Sequence, residues 1–131
     1  MYRIEKKTSG YLLTFSGKIN ANEMKQWYDE SRLKLESETT HSFGVIIDMK
    51  NLLPLDAETS TIMKSGQKLF KEKGMLRSAV ILSSSELCGQ FKAIASMSGI
   101  LATERYIDAS SEANPIDKAI KWVKDGVDLI K

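Results

Sequence analysis

The side chains that most often carry catalysis or bind metal ions are scarce in this sequence. It contains one histidine, His41, and one cysteine, Cys88. Protein zinc sites usually take three or four ligands, mostly histidine and cysteine, so we expect no metal site. His41 lies in a polar stretch and is expected in a surface loop. Cys88 is expected to be buried and inert, the alternative being a reactive thiol at a helix N-terminus.

Hydroxyl and glycine patterns also give no catalytic motif. The run Ser83-Ser84-Ser85 is better explained as a helix cap than as a nucleophile. The eight glycines are scattered singly, which does not fit a phosphate-binding loop or a nucleophile elbow. We therefore expect a binding protein without enzymatic activity or cofactor.

An apolar segment, Leu52-Leu53-Pro54-Leu55, stands where a polar loop would be usual. Such leucines either pack under neighbouring helices or line a binding pocket. The second alternative gives the hypothesis of an apolar, lipid-like ligand held between this loop, the second helix and the turn 97–103. Its predicted apolar wall consists of Leu52, Leu53, Leu55, Met63, Met97 and Leu101.

A basic stretch follows the apolar segment. Lys64, Lys68 and Lys71 are three and four residues apart, which places them on one face of a helix. A solvated helix face explains them most simply. Their closeness to the leucines in the chain also suits docking on an anionic membrane surface.

Hydrophobic periodicity and turn residues predict the elements that position these side chains. The predicted strands are 2–7, 10–17, 43–49, 78–82 and 105–108. Helices are predicted over about 21–37, from Asp56 to Gly74, from Ser84 or Ser85 to Gly99, and from Pro115 to Ile130. The last is predicted from its apolar stripe: Ile116, Ala119, Ile120, Val123, Val127 and Ile130.

The order β-β-α-β-α-β-α-β-α predicts an α/β domain with a mixed, mostly parallel sheet of about five strands and four helices. The length of 131 residues fits a single domain over 1–131. Ligands of open α/β sheets gather beyond the carboxyl ends of the strands, and we expect the loop 51–60 and the turn 97–103 to lie there.

Charge and the amino-terminal sequence limit the function classes. A formal net charge of +2 is small for a nucleic-acid binder, so no nucleic-acid partner is expected. The amino-terminal residues lack the apolar core of a signal peptide, which predicts a cytoplasmic protein, with peripheral contact to the inner face of a membrane as an option. The oligomeric state stays open, a homodimer included.

Two segments resemble the STAS-domain family. The segment 45–52, followed by Asp56, is similar to the strand and loop that precede that family's Asp-Ser-Ser-Gly signature. The segment Met97-Ser98-Gly99-Ile100 is similar to its Met-Ser-Gly-Leu turn. Over most of 2–130 the chain looks closest to the bacterial SpoIIAA-like branch. This resemblance implies a STAS/CRAL-TRIO type fold, the latter associated with lipid ligands.

The resemblance also implies an alternative function as a protein–protein regulatory module, as in the anti-sigma factor antagonists. These proteins are switched by phosphorylation of a serine after the signature aspartate. Here Ala57 and Glu58 stand at the two serine positions, and only Thr59 or Ser60 could accept a phosphate instead. The contact edge for an anti-sigma-type partner would consist of Asp56, Glu58, Thr59 and Ser60.

Overall fold

The computed structural model describes residues 1–38 and 41–130. The strands are β1 (Tyr2–Lys7), β2 (Gly10–Gly17), β3 (Phe43–Leu52), β4 (Met75–Leu82) and β5 (Glu104–Asp108). The helices are α1 (Ala21–Glu38), α2 (Ala57–Glu72), α3 (Ser85–Ser98) and α4 (Pro115–Ile120), and α4 continues as a π-helical turn, Lys121–Asp125. This confirms the predicted order of elements.

The five strands form one mixed sheet in the order β1-β2-β3-β4-β5. The β1–β2 pair is antiparallel, and the other three pairs are parallel. The predicted fold class is therefore confirmed. The apolar run from Phe43 to Ile47 is buried in the central strand, as expected for a strand covered on both faces.

The helices cover the two faces of the sheet unequally. Each parallel connection advances one strand in the same direction, so right-handed crossovers place α1, α2 and α3 on one face. The larger core lies there and includes Phe15, Trp27 and Phe70. The returning α4 segment covers the opposite face, where Trp122 and Val123 pack on Ile107 and its neighbours.

The last helix is shorter than its apolar stripe predicted. The helical segment ends at Asp125, because Gly126 adopts a left-handed conformation with φ of 69° and the amide of Val127 bonds back to the carbonyl of Lys121. Ile120 and Val127, predicted to face inward, are exposed. The end of the helix is thus set by a local glycine turn.

The turn 97–103 lies at the amino ends of the parallel strands, whereas we predicted it at their carboxyl ends. Because α3 starts at the carboxyl end of β4 and runs back, the residues after it lead into the amino end of β5. The amide of Ser78, early in β4, accordingly bonds to the carbonyl of Thr103. Of the two segments predicted at the carboxyl ends of the strands, the loop 51–60 is the one that lies there.

Within the described ranges, none of the helices has the length and apolarity that a bilayer crossing requires.

Candidate binding site

A cleft of about 410 Å³ opens at the carboxyl ends of β3 and β4. One wall is the β3–α2 loop, and the other is the first half of α3. Its lining is mostly apolar and comprises Met49, Leu52, Leu53, Pro54, Leu55, Ser60, Leu82, Leu87, Gln90 and Phe91. This is the sheet edge at which open α/β folds usually bind ligands.

Two helix caps position the walls of the cleft. The amide of Thr59 donates to Oδ1 of Asp56 at 2.8 Å, which starts α2 directly after the loop. This backbone hydrogen bond holds the pKa of Asp56 below its ordinary value. In the same way, the amide of Leu87 donates to Oγ of Ser84 at 3.2 Å and starts α3. Both caps follow from local sequence.

The loop leucines divide between core and cleft. Leu52 and Leu55 are half-buried and pack against the larger core, whereas 54% of Leu53 is exposed. Leu87 and Phe91 contribute half-buried apolar faces from α3. Packing therefore accounts for part of the apolar segment, and the remaining apolar surface faces the cleft.

The six residues predicted to form one apolar wall are not brought together. Leu52, Leu53 and Leu55 line the cleft, but Met63 is buried in the core. Met97, 88% exposed in the last turn of α3, and Leu101, exposed in the turn that follows, lie near the amino end of β5 instead. The reason is that α3 separates the two regions, since its ends lie at opposite edges of the sheet. The wall opposite the loop is supplied by Leu87 and Phe91 instead.

The predicted partner-contact edge is only partly on the surface. Asp56 and Glu58 are exposed and Ser60 is half-buried, but Thr59 is 0% exposed. Thr59 points into the core because it lies four residues before Met63 on the inward face of α2. Its hydroxyl is therefore unavailable for contact with a partner or for phosphorylation in the folded protein.

The three lysines of the predicted basic face do lie together. Lys64, Lys68 and Lys71 are exposed on α2 and line a groove of about 720 Å³ with Ile100. Nζ of Lys71 donates to the carbonyl of Gly99 at 3.3 Å. The α3–β5 turn therefore lies beside the basic face of α2.

A buried polar cluster was also missed by the sequence patterns. Ser78 Oγ donates to one oxygen of Glu104 at 2.9 Å, and the Tyr106 hydroxyl to the other at 2.5 Å. Burial raises the pKa of Glu104 above its ordinary value, against the lowering effect of the two hydrogen bonds. The only signal was a glutamate two residues before a tyrosine at a strand start, which places both on one face.

Neither cysteine nor metal chemistry gains support from the structure. Cys88 is buried, as predicted, and burial raises the pKa of its thiol. Among residues 1–38 and 41–130, no cluster of three histidine, cysteine or acidic side chains could hold a metal ion.

Comparison with known proteins identifies the fold. No family model matches the sequence, and no curated protein matches it. Among solved structures, the chain is similar to an uncharacterised protein of the DUF3478 family from Shewanella loihica PV-4, described as having a SpoIIAA-like fold. The superposition covers 91% of this chain and 92% of that chain, with a TM-score of 0.62. This protein has a SpoIIAA-like fold.

The SpoIIAA-like fold confirms the resemblance seen in the segments 45–52 and 97–100. Sequence identity to the Shewanella protein is 16%, so the comparison establishes the shared architecture. The features of this chain that bear on function are the cleft and the lysine groove on its surface.

Proposed function

We propose that this protein is a non-catalytic binding module that accepts an apolar, lipid-like ligand in the cleft between the β3–α2 loop and α3. The observation that supports the proposal most is the apolar lining of the cleft at the carboxyl edge of a parallel sheet. Ser60 and Gln90 supply the few polar groups that would orient a ligand.

Physical chemistry favours an apolar occupant for this cleft. The Leu53 side chain remains 54% exposed, and the side chains of Phe91 and Leu87 are half-buried. A ligand that covers this surface removes apolar area from water, at about 25 cal/mol per Å². Among the described residues that line the cleft, none forms an acid–base pair or a set of metal ligands, and the chemistry of this lining suits binding.

The cleft can be tested with N-phenylnaphthylamine, an uncharged dye whose fluorescence rises in apolar sites. We expect saturable binding that Leu53→Asp weakens strongly, because a carboxylate would be placed in the apolar wall. Leu33→Asp is the matched control: Leu33 is 61% exposed on α1 and lies outside the cleft. Lipid extraction of protein purified from cells would identify a natural occupant. Equal dye binding by both variants would contradict the proposal.

A protein–protein regulatory role is the second candidate. Asp56 and Glu58 form an exposed acidic edge beside Ser60 at the rim of the cleft. A partner that inserts an apolar side chain would meet both the leucines and these charges. Glu58→Lys should then abolish capture of a histidine-kinase-like ATPase of the anti-sigma type, and unchanged capture would exclude this edge.

Peripheral contact with an anionic membrane is supported by a different surface. The exposed side chains of Met97 and Leu101 flank the turn that contacts Lys71, so apolar and basic groups are adjacent there. Such a pair suits a lipid surface, where each lysine contributes about 1 kcal/mol. Vesicles with anionic lipid should pellet the wild type more than Met97→Ser. Equal pelleting would remove this contact.

A further inference from the structure

The cleft and the lysine groove flank one continuous stripe of α2. Ser60, which lines the cleft, is followed at helical spacing by Lys64, Gln67 and Lys71, which line the groove. Thr61 continues the groove directly beside Ser60. The same side of one helix therefore borders both openings.

The packing of the helices explains why this space is open. α2 packs mainly on α1, whereas α3 packs mainly on β5, so the described residues of α2 and α3 make few contacts with each other. Beneath α2, a core cavity of about 20 Å³ shares Met49 with the cleft and Gln67 with the groove. We use the name α2–α3 channel for the cleft and the groove together with the stripe of α2 that borders both.

The two ends of the channel differ in chemistry. The end at the β3–α2 loop is apolar, and Leu53 and Phe91 are among the residues that line it. The other end carries the ammonium groups of Lys64, Lys68 and Lys71 against one carboxylate, Glu72. Across the part of the chain that the structure describes, none of the three lysines forms an ion pair. Their charge is available to a ligand.

We propose that the α2–α3 channel binds an anionic amphiphile, with its apolar chain at the Leu53 end and its carboxylate or phosphate head at the lysines. The ligand is chosen by charge complementarity at one end and apolar lining at the other. From Ser60 to Lys71, α2 rises by about 16 Å, which is the scale of a medium-length acyl chain. The tail half of this inference rests on the proposed function, and the head half is independent of it.

Dodecanoate and dodecanol separate the two halves, because they share a chain and differ in charge. We expect both to displace N-phenylnaphthylamine, with dodecanoate bound roughly 10- to 100-fold more tightly. The double variant Lys64→Glu/Lys71→Glu should remove that advantage, so that dodecanoate binds no more tightly than dodecanol. Lys25→Glu/Lys121→Glu makes the same change of charge at exposed positions outside the channel and serves as the matched control.

The outcomes distinguish the two proposals. Equal affinity for dodecanoate and dodecanol, unaffected by the lysine substitutions, would overturn the inference and leave the apolar cleft intact. Failure of both compounds to displace the dye would overturn the inference, and failure of the dye itself to bind would overturn the proposed function. Dodecyl phosphate should bind like dodecanoate, whereas inorganic phosphate alone should bind weakly. Tight binding of inorganic phosphate, with no gain from the chain, would assign the lysines to a free anion and contradict the inference.

Discussion

A Cβ atom added to Gly66 would lie 2.2 Å from Cη2 of the Trp27 ring. Trp27 projects from α1 and is almost fully buried, stacked on Phe70 with ring centroids 6.0 Å apart and edge-on to Phe15 at 5.2 Å. Gly66 therefore allows α2 to approach α1 over an indole ring.

Gly66→Ala is expected to destabilise the protein, because the added methyl group overpacks the Trp27 contact. Overpacking of this kind costs about 1–3 kcal/mol. This cost opposes the gain of roughly 1 kcal/mol that alanine brings to a helix interior. Gly89→Ala in α3 is the control, since nothing lies within 4 Å of its added Cβ. It should stabilise the protein slightly. Urea unfolding of both variants tests the prediction, and stabilisation by Gly66→Ala would contradict it.

Glu104 should make stability fall as pH rises. Its folded pKa is raised by burial, so its contribution is fully present below the unfolded value, near 4.5, and is lost as pH passes the folded pKa. Glu104→Gln keeps a polar partner for Ser78 and Tyr106 without titrating. Urea unfolding from mildly acidic to mildly alkaline pH should show a shallower decline for this variant. The exposed Glu58→Gln is the control, and an unchanged slope in Glu104→Gln would contradict the prediction.

Thr59 and Ser60 are expected to respond very differently to negative charge. Thr59→Glu places a carboxylate at a fully buried site and should destabilise the protein by roughly 3 kcal/mol or more. Ser60→Glu, at a half-buried position in the first turn of α2, should change stability by about 0.5 kcal/mol or less. Thermal unfolding distinguishes them. Equal stability would mean that Thr59 is accessible to modification after all.

Trp122 is expected to anchor the π-helical turn to the sheet. Its Nε1 donates to the carbonyl of Ser78 at 3.0 Å, and Cζ of Arg105 lies 4.0 Å from its ring centroid. Trp122→Phe should cost about 1–3 kcal/mol, because the buried carbonyl loses its donor. Arg105→Ala alone and in combination completes a double-mutant cycle. Strict additivity of the two substitutions would show that the guanidinium gains nothing from the indole ring beyond what a phenyl ring provides.

Features set by neighbouring residues were predictable from the sequence. The helix caps at Asp56 and Ser84 are found where predicted, because each depends on a hydrogen bond between residues three apart in the chain. The order and type of the elements followed from hydrophobic periodicity. The end of α4 was not predicted, since its apolar stripe continues past Gly126.

The candidate site was predicted only in its local parts. Leu52, Leu53 and Leu55 are adjacent in the chain, and the three lysines repeat along one helix, so each group stays together in any fold that keeps the elements. The partners of these groups, Phe91 for the leucines and Ile100 for Lys71, come from α3 and the turn after it. Periodicity marks an inward face but does not say which neighbour that face meets.

The sequence by itself determined a mixed α/β sheet, a helix that begins at Asp56, and an apolar segment followed by a basic one. Only the tertiary structure decided that Met97 and Leu101 lie near the amino end of β5 and that one side of α2 borders both the cleft and the lysine groove. The physical reason is that local bonding and burial depend on residue type and spacing. How closely two helices approach depends instead on contacts between residues distant in sequence, such as that of Gly66 in α2 with Trp27 in α1.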